Sequence, residues 1–230
     1  MELTAEAFER ALWALQSDQE REKIAKHRRN GRSGVIGVRM KAIFDTAAEF
    51  ADMPLDEVER LLESQYYDAR MGAVSILDFK ARRKRTTDQE RRELFELYLR
   101  RHDRIDDWDL VDRAAPRVLG WYLLDRPRDP LFALARSGVV WERRSAITAA
   151  FWFIRQGDLD DALAIAEILL GDEDPLIHKS VGTGLREVGA VDRDRLVAFL
   201  RKHGDAVPRV TLRYAVAKLP SELRADLMAR

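Results

Sequence analysis

Cysteine is absent from the 230 residues. That absence excludes disulfides, thiolate zinc sites, iron–sulfur clusters and cysteine nucleophiles together. No apolar run approaches the roughly 20 residues of a membrane-spanning helix. The opening Met1-Glu2-Leu3-Thr4-Ala5-Glu6 is acidic and polar, unlike a signal peptide. A soluble cytoplasmic protein with no membrane partner is therefore expected. Net charge is lacking too, since 40 Lys and Arg balance 40 Asp and Glu. This removes strong whole-molecule attraction to a polyanion but permits a local basic face, because salt screens fields beyond roughly 10 Å. Alternating strand patterns are missing, and Asn-Gly occurs only at Asn30-Gly31, inside a polar basic stretch. His27, His102, His178 and His203 lie singly, without ligand spacing. No Gly-rich phosphate loop or Ser nucleophile elbow occurs either, so neither metal nor other cofactor is expected.

What is present is helical patterning. Apolar residues make up 46% of the chain and charged residues 35%, enough for a continuous core under a well-solvated surface. Phe8, Leu12 and Leu15 form one stripe at helical period, and Val58, Leu61 and Leu62 form another. Leu159, Leu163, Ala166, Ile168 and Leu169 form a third. Ser17-Asp18-Gln19-Glu20 and Thr87-Asp88-Gln89-Glu90 fit the capping box, a hydroxyl at the N-cap and a carboxylate three residues on. Pro54, Pro116, Pro130, Pro175 and Pro208 suit first turns, where a missing amide hydrogen costs nothing. Gly157, Gly171 and Gly204 suit helix ends. About twelve helices with short connections are predicted, an all-α protein.

A motif recurs. Tyr67-Asp68-Ala69-Arg70-Met71-Gly72-Ala73, Trp141-Glu142-Arg143-Arg144-Ser145-Ala146-Ile147 and Leu176-Ile177-His178-Lys179-Ser180-Val181-Gly182 each set a basic residue before small and apolar ones. Leu212-Arg213-Tyr214-Ala215-Val216 is a weaker copy. The basic positions 70, 144, 179 and 213 are separated by 74, 35 and 34 residues, so one divergent repeat lies in the first interval. Helix pairs at this spacing predict one HEAT-like α-solenoid domain over residues 1–230. Stacking would align Arg70, Arg144, Lys179 and Arg213 as a basic ladder along a concave face. Each of these cations also has an ordinary reading, as a solvated helix face or the partner of a nearby carboxylate.

Charge is segregated along the chain. From Arg21 to Arg39 the cations 21, 23, 26, 28, 29, 32 and 39 face one acid, Glu22, and Lys80 to Arg85 is broken only by Ala81. Acids gather at Asp158, Asp160, Asp161, Asp172, Glu173 and Asp174. Arg39, Arg83, Lys84 and Arg143 join the ladder residues as candidate phosphate contacts, which give affinity without sequence choice.

One segment carries candidate chemistry: Asp107-Trp108-Asp109-Leu110-Val111-Asp112, followed by Ala115-Pro116. Trp108 and Asp112, four apart, share a helix face. A structural reading is open here, with Asp106 and Asp107 capping a helix, Trp108 in the core and Asp112 paired with Arg113 or Arg144. This segment resembles the signature of the DNA alkylation repair family of AlkD-type glycosylases. Trp141 to Ile147, Gly37-Val38-Arg39-Met40-Lys41-Ala42-Ile43, Ile177 to Gly182 and Leu185-Arg186-Glu187 are similar to that family as well. The likeness runs from about Val35 to Arg213.

The resemblance implies a monomer that cradles duplex DNA and hydrolyses the N-glycosidic bond of cationic N3- or N7-alkylated purines left in the stack. It implies a catalytic role for Asp112, a sugar-contacting role for Trp108 and a backbone-clamping role for Arg144. Thr183 departs from the pattern, because the family holds a second Trp at that position. That loss leaves open a preference for bulkier adducts, slow excision, or a DNA-structure binder that no longer cuts; Trp141 and Trp152 are possible substitutes for the missing surface. A protein-interaction scaffold, a common use of HEAT-like arrays, is the remaining alternative.

Overall fold

The computed structural model describes residues 2–27 and 33–229. Arg28, Arg29 and Arg32 of the basic stretch, with Asn30-Gly31, lie outside the described residues. Among those described, the chain is all-α, with fourteen α-helices, and the one extended pairing is an isolated bridge between Gly34 and Tyr66. The residues fall into two compact units, Met1–Leu119 and Gly120–Arg230.

The first unit holds α1 (Ala5–Trp13), α2 (Asp18–His27), α3 (Met40–Glu49), α4 (Leu55–Leu62), α5 (Tyr67–Arg82), α6 (Asp88–Arg100) and α7 (Trp108–Ala115). Helix α5 is its centre, packed against α1, α3, α4 and α7. It is long and rich in small residues, and nearly every side chain from Tyr67 to Asp78 is buried. Gly72 lets it approach α1 closely: a Cβ there would lie 2.2 Å from the Phe8 ring. Asp68, wholly buried on α5, accepts hydrogen bonds from the amides of Ile36 (2.8 Å), Gly37 (3.2 Å) and Val38 (2.9 Å). One carboxylate thus fastens the segment leading into α3, since a buried charge of this kind persists only with several donors. Gly37 takes φ 96°, and a Cβ there would meet the Ser17 carbonyl at 2.6 Å.

The second unit holds α8 (Asp129–Ala135), α9 (Val140–Arg155), α10 (Asp160–Leu169), α11 (Pro175–Val191), α12 (Arg193–His203), α13 (Arg209–Ala215) and α14 (Ser221–Met228). Helix α9 packs on α8, α10 and α11, and α11 packs on α9, α12 and α13. Small residues again set the spacing. A Cβ on Gly182 would lie 2.6 Å from the Thr211 carbonyl, and one on Gly184 would lie 2.9 Å from the Phe151 ring.

Several local expectations are met and several are corrected. The Thr87 box forms in full, with Thr87 Oγ1 accepting the Glu90 amide and Glu90 accepting the Thr87 amide. The Ser17 box does not, because the Ser17 amide donates to the Gly37 carbonyl at 2.8 Å while Glu20 pairs with Lys23 and Arg39. Leu15 lies beyond the end of α1 and is 48% exposed, so the first stripe closes at Leu12. In α10 the buried set is Ala162, Ile165, Ala166 and Leu169; Leu163 and Ile168 flank it half-buried. Pro130 and Pro175 sit in first turns, whereas Pro54 and Pro208 sit one residue earlier, at N-caps.

Pro116 differs from the other prolines. It follows α7 and opens a π-helical turn, Pro116–Trp121. Its nitrogen has no hydrogen for the carbonyl four residues back, that of Asp112, so the α-helical ladder cannot continue through it.

Candidate functional site

Helix α7 is built to present its first turn. Asp107, 1% exposed, caps it by accepting the Trp108 amide at 2.9 Å. Leu110, Val111, Ala114 and Ala115 are buried and anchor the opposite side. Trp108 is left 39% exposed and Asp112 is exposed beside it, one turn on. The reading of Trp108 as a core residue is therefore corrected: the core positions of this helix are already filled by Leu110 and Val111.

Between these two, Asp109 turns inward and accepts the hydroxyl of Tyr67 from α5. Burial pushes its pKa up to about 6, outweighing the Tyr67 hydroxyl and the Leu110 and Asp109 amides, which favour the carboxylate; Asp107 reinforces the rise. The same contact, with burial first among the causes, drives the Tyr67 phenol well above its ordinary pKa. Neither residue was singled out from sequence. The available signal was the (i, i+1, i+3, i+6) crowding of carboxylates at 106, 107, 109 and 112, more acid than a cap requires.

Behind Asp112, Arg113 lies across the rings of Phe44 (4.3 Å) and Phe79 (4.9 Å) and donates to Ser75 at 3.0 Å. It also pairs with the fully buried Asp78 at 3.1 Å, as do Arg82 and Arg117. Three guanidiniums on one carboxylate leave a local excess of positive charge next to α7.

The ladder positions do not share one environment. Arg70 is 3% exposed and donates to Ser33 (2.6 Å) and Asp106 (2.8 Å). Arg144 is 7% exposed and donates to the Leu176 carbonyl at 3.1 Å, tying α9 to the first turn of α11. Lys179 and Arg213 are exposed. Arg143 grips Asp172 (2.5 Å) and the Ser137 carbonyl, Arg83 pairs with Asp52 (2.6 Å), and Arg39 pairs with Glu20 (3.5 Å), while Lys84 is exposed. Burial thus separates cations that look equivalent in sequence.

The divergent repeat finds its register in these helices. Arg144, Lys179 and Arg213 are each the fifth residue of their helices and Arg70 the fourth; the fifth residue of α7 is Asp112. The repeat that breaks the basic pattern is the one that holds the carboxylate.

Thr183 is half-buried on α11, one turn beyond Lys179 on the same face, while Gly182 and Gly184 face α13 and α9. Trp152 stacks on Trp121 at 4.8 Å, so one of its faces is already occupied. No helix among the described residues is long and apolar enough to cross a membrane.

Comparison with known proteins follows the same line. Among solved structures the chain is similar to a predicted DNA alkylation repair enzyme from Enterococcus faecalis, at 14% identity and a TM-score of 0.70, over 90% of this chain and 97% of that one. At such identity the likeness shows a shared fold. No curated protein gives a match. The family model described as DNA alkylation repair enzyme matches residues 8–219, and on that extent the chain belongs to this family.

Proposed function

We propose that the protein is a DNA glycosylase that binds duplex DNA and hydrolyses the N-glycosidic bond of cationic N3- or N7-alkylated purines. The observation that carries this reading is the exposed Trp108–Asp112 pair, held on the solvent face of α7 by an inward-facing anchor and a buried cap. An alkylated purine cation leaves without help from an acid, and the sugar then gains oxocarbenium character. A fixed carboxylate and an indole face are the two groups that stabilise such a cation, and the carboxylate also orients water for attack. The positive excess at Arg82, Arg113 and Arg117 suits a phosphate beside that sugar.

The deciding measurement is release of methylated bases from alkylated duplex DNA by purified protein. Asp112→Asn keeps size and hydrogen bonding but removes the charge. It should cut release by about 10²-fold, the scale of losing one preorganised electrostatic group, with DNA affinity unchanged. Equal release by the variant removes Asp112 from the mechanism. A second reading, binding without excision, is favoured by Thr183, which offers no aromatic face; DNA binding with no release at all selects it.

A further inference from the structure

Trp108 and Asp112 share one face of α7, and the residue after each of them is tied to α5. Asp109 accepts the Tyr67 hydroxyl, and Arg113 donates to Ser75 (3.0 Å) and pairs with Asp78 (3.1 Å). The two ties lie on a face turned about 100° from the one that carries the indole and the carboxylate. We propose that Tyr67 and Asp109 are positioning residues for the reaction proposed above, on which this role rests: their hydrogen bond sets the rotation of α7 and thereby aims Trp108 and Asp112.

The remaining contacts of the first turn leave that rotation open. Leu110, Val111, Ala114 and Ala115 are buried through apolar packing, which has little directionality. The Asp107 cap bonds the helix's own Trp108 amide, a bond that turns with the helix. With eight residues α7 makes only about two turns, and Pro116 cuts its α-helical ladder from the turn that follows. A tie at Arg113 alone would let the first turn pivot about it. A second tie at Asp109, next to Trp108, removes that freedom, and its partner Tyr67 is only 2% exposed on the central helix of the unit.

The tie also responds to a proton. Oδ2 of Asp109 accepts the phenol hydrogen, while Oδ1 is buried with no hydrogen-bond partner among the described residues. A proton entering at Oδ1 leaves Oδ2 as a carbonyl oxygen that still accepts from Tyr67. The bond then changes from a charge-assisted one to a neutral one, roughly half as strong. Burial brings this exchange up to about 6. The groups facing it are Tyr67 and Asp68 from α5, Asp107 at the start of α7, and Glu20 and Lys23 from α2. Helix α7 is thus aimed more firmly at neutral pH than in mild acid.

The test pairs single-turnover release of methylated purines with the indole N–H resonance of Trp108, assigned by its loss in Trp108→Phe. Tyr67→Phe keeps the ring and removes the hydroxyl. It should slow release by about tenfold with DNA affinity unchanged, short of the roughly 10²-fold that a misplacement of about 1 Å brings. Lowering the pH from about 8 to about 5 should reduce the native rate through a step near 6. That step should be missing in Tyr67→Phe and in Asp109→Asn, both of which stay near the lower rate throughout. The Trp108 resonance should move with the same midpoint in the native protein and not at all in Asp109→Asn. In Tyr67→Phe its midpoint should rise, because the donor that favours the carboxylate is gone. Asp109→Asn, which keeps an acceptor for the phenol, decides the question should Tyr67→Phe fail to fold. An undiminished rate in Tyr67→Phe, a step that persists there, or an indole resonance indifferent to Asp109 overturns the proposal. Release at one rate by all three proteins overturns the positioning role alone, and no release by any, with the indole resonance titrating as described, overturns the glycosylase reading alone.

Discussion

Asp109 shows how one side chain can oppose the fold that holds it. Its carboxyl is raised from 3.8 to about 6 by burial, so the folded state prefers it protonated. The stabilisation this brings is fully present below the unfolded pKa and is lost as pH rises through about 6. At neutral pH the ionised group costs on the order of 2–3 kcal/mol. Asp109→Asn should therefore raise the melting temperature at about pH 8 by several degrees, with the gain vanishing at about pH 4, where the native residue is already neutral. An Asn that destabilises at every pH would show that the Tyr67 hydrogen bond, not the buried charge, dominates. Its neighbour Asp112 is exposed, and the three carboxylates of one short helix and its cap thus divide their work: Asp107 caps, Asp109 faces inward, Asp112 faces out.

At the scale of elements, α11 is held by its glycines. Gly182 meets α13 with no room for a methyl group, and Gly184 meets α9 almost as closely. Thr183, between them, points along the remaining face with Lys179. Gly182→Ala should cost about 1–3 kcal/mol, the range for overpacking, and lower the melting temperature accordingly. Thr183→Trp should leave that temperature nearly unchanged and raise the release of small methylpurines by several-fold, since an indole is the best π partner for the cationic sugar. Parallel melting and rate measurements on the two variants check this. An unchanged methylpurine rate in Thr183→Trp would mean that position 183 does not line the site. The π-helical turn after α7 is the other element with a legible cause, because Pro116 withholds the hydrogen that the Asp112 carbonyl would otherwise receive.

At the scale of the whole molecule, equal numbers of positive and negative residues make any DNA affinity a matter of local fields. Many candidate cations are already engaged: Arg70 by Asp106, Arg143 by Asp172, Arg83 by Asp52, Arg39 by Glu20. Duplex binding should consequently weaken with salt at a log–log slope of about −0.9 per phosphate contacted. Charge reversal at the exposed Lys179 or Arg213 should each reduce that slope by about one contact's worth, whereas reversal at Lys23 should leave it unchanged. Fluorescence anisotropy over a salt series measures this. Slopes indifferent to Lys179 and Arg213 would move the phosphate contacts to other cations, such as those around Asp78.

The sequence by itself determined the helical class, the Thr87 cap, the helix-ending glycines, the repeat interval and the family. Each of these rests on local chemistry or period: what an oxygen three residues from an amide does, what a missing Cβ allows, how often an apolar residue returns. Tertiary structure alone decided which members of a repeated position are buried. Arg70 and Lys179 occupy like places in their motifs, yet one is enclosed by Ser33 and Asp106, from segments 36 to 37 residues away, and the other is exposed. The same holds for Ser17, whose amide was claimed by Gly37 rather than Glu20, and for Asp109, which is only another acid until α5 brings Tyr67 against it. Burial is a property of what distant segments place around a side chain, and neither pattern nor period along the chain carries it.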